Sequence, residues 1–366
     1  MLQKLTRKLA IMVRRSRESE RRTLTSREAQ EVNFYQFNRR TVGYFHARLG
    51  HTMVRVRDTP HFAFACALGG DKSVSAAEGE SAYRDYLRAS WQESAHEHID
   101  ERVAEFRDHF ESWKRAGSSA HPILVNLPTD AAPYAIDGNH RLAFAAALGR
   151  PIEVEIWPPD LAFLRFSRIP GFYGTGNRNL PYQGVVLGGR EVIPGRRSDI
   201  ALRLSMVPSH VLSGRSVLDV ASNVGMSSLI ARSLGASSCR GLEISPGMVD
   251  LASRFAAFSG VHPEVTFTEF NIDTDNLTDG EVYDTAFMFS ILAHLKRPDR
   301  LAEIARRHVR HFVVFEGHPS GTHRDYADFF AACGFSQVEE LGRLDTSRFD
   351  GDRKRTLWLC SKASAN

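Results

Sequence analysis

The segment that most constrains the fold is residues 216–236, which read SVLDVASNVGMSSLIARSLGA. A short run of strand-forming residues contains Asp219, a tight turn follows, and apolar residues then recur at helical spacing after Gly225. This order is typical of the first strand, loop and helix of a nucleotide-binding α/β unit, in which the helix N-terminus faces the ligand. The segment therefore predicts an α/β fold with a ligand at this loop.

A second acid ends the next predicted strand. Residues 238–244 form that strand, and Glu243 lies 24 residues after Asp219. An acid at about this distance from the glycine loop is typical of nucleoside sites, where it accepts hydrogen bonds from ribose hydroxyls. We expect Glu243 to bind both hydroxyls of a ribose.

The segment and the residues after it resemble the class I S-adenosylmethionine-dependent methyltransferases. The first motif of that family is an acid followed by three alternating glycines, and this chain has Asp219, Ala221, Asn223 and Gly225 there. Asn223 tolerates left-handed backbone angles nearly as well as glycine, so the loop can still form. The resemblance covers residues 199–360 and rests on an ordered series of motifs.

The later motifs in this series are found in order along the chain. They are residues 271–273 (NID) after a strand at 265–270, residues 283–295 (YDTAFMFSILAHL), a fifth strand at 312–315, and a closing helix and antiparallel strand within 329–342. The resemblance implies a Rossmann-like domain that binds S-adenosylmethionine. The residues it assigns to the cofactor are Asp219, Ala221, Ser222, Asn223, Gly225, Glu243, Ile244, Asn271, Ile272, Asp273 and Ser290.

Candidate catalytic residues follow the fourth and fifth strands, because open α/β sheets place their chemistry at the carboxyl ends of strands. His294 is the first candidate for a base or substrate contact, and Glu316 and His318 come next. Two alternatives remain open. The first is a domain that binds a nicotinamide dinucleotide, which is disfavoured because its pyrophosphate needs glycines where Ala221 and Asn223 stand. The second is a degenerate copy of the fold that binds nothing.

A second chemical signal is residues 134–149, YAIDGNHRLAFAAALG, which follow a buried strand at 122–127. A strand, a glycine turn and a helix start bring backbone amides, an imidazole and a guanidinium together, as in an anion site. The block resembles the ParB/sulfiredoxin-like superfamily, over about residues 90–157. The resemblance implies an N-terminal α+β domain that binds nucleotide or phosphate, and in its more specific form a kinase that uses ATP or another nucleotide with Mg²⁺. The residues concerned are Asp137, Gly138, Asn139, His140 and Arg141.

The alternative for this block is a helix cap in which Asp137 and Asn139 satisfy the first amides. No sulfiredoxin-type cysteine lies beside the turn, since Cys66 is far upstream. The four cysteines lack zinc or redox spacing, and His46, His51 and His61 form no one-face ligand set, so no metal site is expected. Residues 81–91 and 98–115 are predicted helices.

The chain of 366 residues, 42% apolar and 25% charged, is long enough for two domains with sizeable cores. No apolar run approaches the length of a membrane span, so we expect a cytoplasmic protein. Residues 1–22 carry eight basic and two acidic residues, a net charge of +6, so the rest of the chain, from a total of +4, carries −2. Residues 1–30 are therefore a basic leader, either an amphipathic helix for anionic lipid or an acidic partner, or a solvated tail.

Between the two signals, residues 166–200 form a Gly/Pro-rich connector that is too apolar for a free tether. Its VVLGGREVI stretch predicts a hairpin, and we expect the connector to pack on the methyltransferase domain. Its possible substrate contacts are Tyr182, Gln183, Arg196 and Arg197.

The domain prediction is thus a leader (1–30), a ParB/sulfiredoxin-like domain (31–165), the connector, and a methyltransferase domain (201–366). The predicted function is methyl transfer to a small molecule or glycan. The alternatives are a tRNA or other nucleic-acid methyltransferase, which the near-neutral body disfavours because phosphate neutralisation supplies most nonspecific affinity, and a nucleotide-binding interaction protein with a vestigial transferase fold. The oligomeric state is left open.

Overall fold

The computed structural model describes residues 18–34, 36, 38–91, 93–117, 120–166, 182–197, 199–317, 323–345 and 354–363. These residues fall into two compact units. One contains residues 18–166 with Leu187–Val192 and Ala257–Gly260, and the other contains the remaining described residues. Among the described helices, none has both the length and the apolar character needed to cross a bilayer.

The N-terminal unit has a four-stranded sheet with helices packed around an aromatic core. The strands are β1 (Glu20–Leu24), β2 (Ile123–Val125), β3 (Tyr134–Asp137) and β4 (Ile152–Ile156), in the spatial order β1-β4-β2-β3. Strands β2 and β4 are parallel, and the other pairs are antiparallel. The helices are α1 (Ser26–Glu31), α2 (Arg39–Leu49), α3 (Pro60–Gly69), α4 (Ala76–Ser90), α5 (Ile99–Ala116), α6 (Asn139–Ala147) and α7 (Pro159–Phe166).

The sequence explains why α4 and α5 form where they were predicted. Ser75 and Glu78 make a capping box at the start of α4, which satisfies two amides that a helix start otherwise leaves unpaired. In α5, Val103, Phe106 and Phe110 are buried at helical spacing. The predicted helix at 98–115 is confirmed to within one residue at each end, whereas the one predicted at 81–91 begins five residues earlier, at Ala76, and the unit contains both helices and a sheet.

The C-terminal unit is built on a seven-stranded sheet in the order β12-β13-β11-β10-β7-β8-β9. Its strands are β7 (Ser216–Val220), β8 (Ser238–Glu243), β9 (Val265–Glu269), β10 (Tyr283–Phe289), β11 (Val309–Glu316), β12 (Phe335–Asp345) and β13 (Lys354–Lys362). The helices are α8 (Ile200–Ser205), α9 (Ser209–Leu212), α10 (Met226–Ser233), α11 (Pro246–Phe258), α12 (Pro298–His308) and α13 (His323–Ala331).

Strand order in this sheet creates a switch point. From β7 the chain adds β8 and then β9 on one side, after which β10 and β11 are added on the other side. These five strands are parallel, whereas β13 is antiparallel to both of its neighbours. In open α/β sheets, ligands bind in the crevice outside the carboxyl ends of the strands at such a switch point. The fold therefore directs attention to the loops after β7, β8 and β10.

The connector contains the hairpin that the sequence predicted, formed by β5 (Val185–Leu187) and β6 (Arg190–Ile193). Gly188 and Gly189 both have positive φ, which a two-residue hairpin turn of the favoured type requires. Residues 167–181 of the connector lie outside the described residues.

The leader boundary differs from the prediction. Residues 20–31 form β1 and α1 of the N-terminal unit, and β1 pairs with β4 over its whole length, so this unit begins before residue 31. Of the predicted leader, residues 1–17 lie outside the described residues. Its contact with a membrane or an acidic partner stays a prediction.

Candidate functional site

The loop after β7 takes the unusual backbone shape that the sequence predicted. Ala221, Asn223 and Gly225 have φ angles of 61°, 53° and 77°, in the left-handed region. Gly225 is the N-cap of α10, without a side-chain capping bond. Alanine at positive φ is strained, and asparagine adopts this region more readily. The loop thus forms with a single glycine.

Gly225 is required for space as well as for backbone shape. A Cβ atom at Gly225 would lie 2.3 Å from the Phe267 ring. The same ring leaves no room at Gly241 on β8, where a Cβ would also lie 2.3 Å away. Gly241 pairs with Phe267 across the β8–β9 register. Two glycines therefore let this ring pack beneath the loop, a requirement that sequence reasoning missed at Gly241.

Asp219 lies near the end of β7, buried at the bottom of the loop. Its Oδ2 accepts a hydrogen bond of 2.7 Å from the Ser228 hydroxyl on α10. Burial raises the pKa of Asp219 to about 7, although Ser228 and the charge of Arg203 oppose the rise. A positive charge placed beside this carboxyl group would favour its ionised form.

Glu243, the last residue of β8, holds the loop from the other side. Its Oε2 accepts from the Asn223 amide at 2.9 Å, and its Oε1 accepts from the Ser245 amide at 3.0 Å. Burial raises the pKa of Glu243, while these backbone hydrogen bonds lower it in part. Each carboxylate oxygen accepts more than one hydrogen bond, so both oxygens can still accept from a ligand.

The loop, Asp219 and Glu243 surround a cavity of about 250 Å³, here called the donor cavity. Ile244 lines it and is 61% exposed, which is unusual for a large apolar side chain. The Oε1 atom of Gln183 is buried and has no hydrogen-bond partner among the described residues. The cavity is lined by Tyr182, Gln183, Arg197, Ile200, Arg203, Asp219, Ala221, Asn223, Ser227, Glu243, Ile244, Phe289, Ser290, Ile291 and His294.

One side of the donor cavity is formed by a buried charge network centred on Glu316, the last residue of β11. Its Oε1 lies 2.7 Å from Arg197 Nη2 and 3.2 Å from Arg203 Nη2. The Ser290 hydroxyl donates to its Oε2. Burial alone raises the pKa of Glu316, but the charges of Arg203 and Arg197 outweigh it and hold the pKa below its usual value. This favours a fixed, ionised Glu316 that positions its neighbours rather than accepting a proton.

A second cavity, of about 480 Å³, adjoins the donor cavity and is here called the acceptor cavity. The two cavities share Ser290 and His294. His294 ends a short 3-10 helix (Leu292–His294) after β10 and is exposed. The acceptor cavity is lined by Ser290, Leu292, Ala293, His294, Glu316, Tyr326 and Arg355.

The structure brings together most, but not all, of the predicted site residues. Ser222, Gly225, Asn271, Ile272 and Asp273 do not line the donor cavity. Asp273 instead accepts backbone hydrogen bonds from Arg297 at 3.0 Å and Lys296 at 3.4 Å. Arg196 lines neither cavity, and His318 lies outside the described residues.

Several lining residues were not predicted, notably Arg203, Phe289, Tyr326 and Arg355. Arg203 carried a local signal, because Asp199 precedes it by one helical turn and pairs with it at 3.6 Å. Arg355 carried none, since its partner Glu316 is far away in sequence.

In the N-terminal unit, the Asp137–Arg141 turn is only partly as predicted. Gly138 has a φ of 92° and is the N-cap residue of α6, so the N-cap position belongs to neither Asp137 nor Asn139. Burial lowers the pKa of His140 to about 4, with the charges of His109, Arg102 and Arg141 adding to the effect. His140 is therefore neutral at pH 7, which corrects the expectation that it supplies positive charge. Arg141 donates to the Ala120 carbonyl at 2.8 Å and pairs with Asp137 at 3.3 Å.

Comparison with known proteins gives one family match. Residues 217–311 match the family model described as "Methyltransferase domain". No curated protein matches the chain. Similar solved structures include magnesium protoporphyrin IX methyltransferase (ChlM) from Synechocystis PCC 6803 with bound SAM, at 19% identity and a TM-score of 0.36, over 44% of this chain and 77% of that one.

Two further similar structures have comparable scores. The N-terminal domain of EvdMO1 with SAH bound has 17% identity and a TM-score of 0.38, over 50% of this chain and 90% of that one. The [4+2]-cyclase SpnF has 15% identity and a TM-score of 0.38, over 50% of this chain and 87% of that one. Residues 217–311, which match the family model, lie within the α/β unit built on the seven-stranded sheet.

Proposed function

We propose that this protein is an S-adenosylmethionine-dependent methyltransferase acting on a small molecule or glycan. The observation that carries the proposal is that one cavity at the switch point gathers Asp219, the Asn223 loop and Glu243. Two acids at neighbouring strand ends suit the ammonium and the ribose of the methyl donor. The exposed side chain of Ile244 provides an apolar surface for an adenine ring.

The residues at this site fit S-adenosylmethionine, which has no pyrophosphate, better than they fit a dinucleotide. The side chains of Ala221 and Asn223 occupy the positions where a dinucleotide needs glycine. Gln183 Oε1, buried and unpartnered among the described residues, offers an acceptor for a polar end of the ligand. When bound, S-adenosylmethionine supplies an electrophilic methyl group.

In this proposal the chain contributes position and proton transfer. Methyl transfer is an in-line displacement, so nucleophile and methyl must be held in line. Ser290 and His294 lie where the two cavities meet, so an acceptor in the second cavity would have its reacting atom beside His294. For an oxygen nucleophile, His294 would accept the proton. The network around Glu316 fixes Ser290 and the cavity wall.

The test is a binding measurement on Glu243. Isothermal titration calorimetry should show that the protein binds S-adenosylhomocysteine, and that Glu243→Ala weakens binding about 10- to 150-fold, since a hydrogen bond to a charged group contributes about 1.5 to 3 kcal/mol. The matched control is Glu269→Ala, because Glu269 pairs with Glu243 in the sheet but does not line the cavity.

Glu243 also anchors the loop, so a ribose analogue separates the two roles. Wild-type protein should bind S-adenosylhomocysteine more tightly than its 2′,3′-dideoxy analogue, and Glu243→Ala should bind the two ligands almost equally. A variant that loses affinity for both ligands by the same factor would mean that Glu243 only supports the loop. No binding by the wild type would reject the methyltransferase proposal and favour a vestigial fold.

We also propose, as a second candidate, that the N-terminal unit binds a phosphate or nucleotide at the start of α6. The supporting observation is that α6 begins directly after Gly138, with Arg141 in its first turn, so the backbone amides of a helix start and a guanidinium lie on one short segment. A neutral His140 weakens this candidate but leaves Arg141. Phosphoryl transfer would further require Mg²⁺ to bridge the phosphates.

A further inference from the structure

The acceptor cavity is lined by an arginine that is incompletely paired within the described part of the chain. Arg355, the second residue of β13, reaches Glu316 only at 3.7 Å, between its Nη1 and Oε2. Its Nε atom is buried and has no hydrogen-bond partner among the described residues. The Arg355 side chain is 21% exposed and lines the cavity. A buried donor without a partner is costly, and a ligand is one way to satisfy it.

The ion pairs of the network point to the same residue. Among the described residues, Arg197 and Arg203 each pair with both Asp199 and Glu316, whereas Arg355 pairs with Glu316 alone and at a longer distance. Arg355 is therefore the least completely paired of these three cations, and it lines the acceptor cavity.

The rest of the cavity limits what the ligand can be. Its volume of about 480 Å³ is in the range of sites for small organic molecules. The same cavity is lined by His294 and by the apolar or aromatic side chains of Leu292, Ala293 and Tyr326. A ligand that fills it needs an anionic group at one end and an apolar or aromatic body.

We propose that the acceptor cavity binds a small organic anion, a carboxylate or a phosphate ester with an apolar body, through its charged group on Arg355. This inference rests on the proposed methyltransferase function, because it assigns the methyl acceptor to this cavity. The planar guanidinium favours carboxylate and phosphate groups, which accept two parallel hydrogen bonds. His294, which lines both cavities, would lie beside the atom that receives the methyl group.

The experiment uses the full chain saturated with S-adenosylhomocysteine. Calorimetry at low salt measures the binding of 4-hydroxybenzoate and phenyl phosphate, with 4-hydroxybenzamide as a neutral molecule of nearly the same shape. We expect the anions to bind at least about tenfold more tightly than the amide, and Arg355→Gln to remove that difference. The matched control is Arg343→Gln, an exposed arginine on the neighbouring strand that does not line the cavity.

Binding of S-adenosylhomocysteine is measured for every variant, together with its thermal unfolding. If Arg355→Gln remains folded and binds S-adenosylhomocysteine but still prefers anions, Arg355 is not their site. If the wild type binds S-adenosylhomocysteine but neither anion at millimolar concentration, the inference fails while the methyltransferase proposal stands. If S-adenosylhomocysteine itself does not bind, the methyltransferase proposal fails first. Should Arg355→Gln unfold, Arg355→Lys provides the second variant, with weakened but retained anion preference expected.

Discussion

At the scale of single residues, Asp219 is a buried carboxyl group with a pKa of about 7, so its charge can change near neutral pH. It is buried, and its pKa is raised to about 7 by loss of solvation. Its neighbours are Ser228, which donates a hydrogen bond, Arg203, whose charge favours ionisation, and Glu243, whose charge opposes it. If Asp219 binds the ammonium of the methyl donor, binding must favour the ionised carboxylate and lower this pKa.

A pH titration of affinity tests the role of Asp219. Affinity for S-adenosylhomocysteine should fall as pH decreases through about 7, by up to about tenfold per pH unit, because the protonated acid must first ionise. Above this range the affinity should level off. Asp219→Asn can still accept from Ser228, and it should bind more weakly at pH 8 with a flattened profile. An unchanged slope in this variant would assign the pH dependence to another group.

In the protein without ligand, ionisation of Asp219 lowers the stability of the fold, whereas the same ionisation favours ligand binding. A carboxyl group with a raised folded-state pKa takes up a proton on folding when the pH lies between the unfolded and folded values. Its contribution to stability is therefore present below the unfolded pKa of about 3.9 and is lost as pH rises toward 7. Ligand binding and ligand-free stability should respond to Asp219 in opposite directions.

At the scale of elements, the β7 loop depends on the packing of β8 and β9. The ring of Phe267 on β9 fills the space that side chains at Gly225 and Gly241 would occupy. Local sequence could predict the turn, since positive φ at Gly225 follows from the strand, turn and helix pattern. It could not predict the need for Gly241, because that need comes from a ring on the neighbouring strand.

A pair of glycine substitutions measures this packing. Gly225→Ala and Gly235→Ala both place alanine at positive φ, but only at Gly225 does the new Cβ meet a ring at 2.3 Å. At Gly235 its nearest neighbour is 3.6 Å away. Denaturant unfolding should show Gly225→Ala to be less stable than Gly235→Ala by about 1 to 3 kcal/mol, the usual effect of overpacking. Equal losses would mean that backbone strain alone explains both.

Whether a strand could be predicted from the sequence depended on whether it lies inside its sheet or at the edge. The parallel strands β7, β10 and β11 lie inside the sheet, and each contains a short run of apolar residues that the sequence shows directly. Strand β1 is an edge strand whose first four residues, ERRT, are exposed, and it therefore has the composition of a charged leader. Solvent contact on an edge removes the apolar pattern by which strands are recognised.

At the scale of the whole molecule, the sequence predicted two units and much of the donor cavity. The acids at the ends of β7 and β8 are local signals tied to strand positions. The arginines of the charge network are not, because Arg197 and Glu316 are 119 residues apart and meet only after folding. The N-terminal turn was located correctly, but burial in the folded unit changes the charge expected of His140.

A comparison of two arginines tests the N-terminal proposal. Arg141 and Arg150 lie near opposite ends of α6, and each donates to a backbone carbonyl at 2.8 Å. If nucleotide binds at the start of α6, Arg141→Ala should weaken the binding of ATP or CTP with Mg²⁺ about tenfold or more, whereas Arg150→Ala should leave it unchanged. Calorimetry that detects no nucleotide at millimolar concentration in the wild type would end this proposal.

The charge network around Glu316 also sets the smallest piece of this chain that can be expressed with its cavities intact. The family match covers residues 217–311, and the predicted domain boundary falls before residue 201. Either cut removes Arg197 and Asp199, and the shorter piece also lacks Arg203, Glu316 and Arg355. A fragment starting at residue 201 would bury Glu316 without its nearest guanidinium, a change that is usually strongly destabilising. The segment that matches the family model is therefore shorter than the stretch of chain that supplies this network, which begins upstream at Arg197.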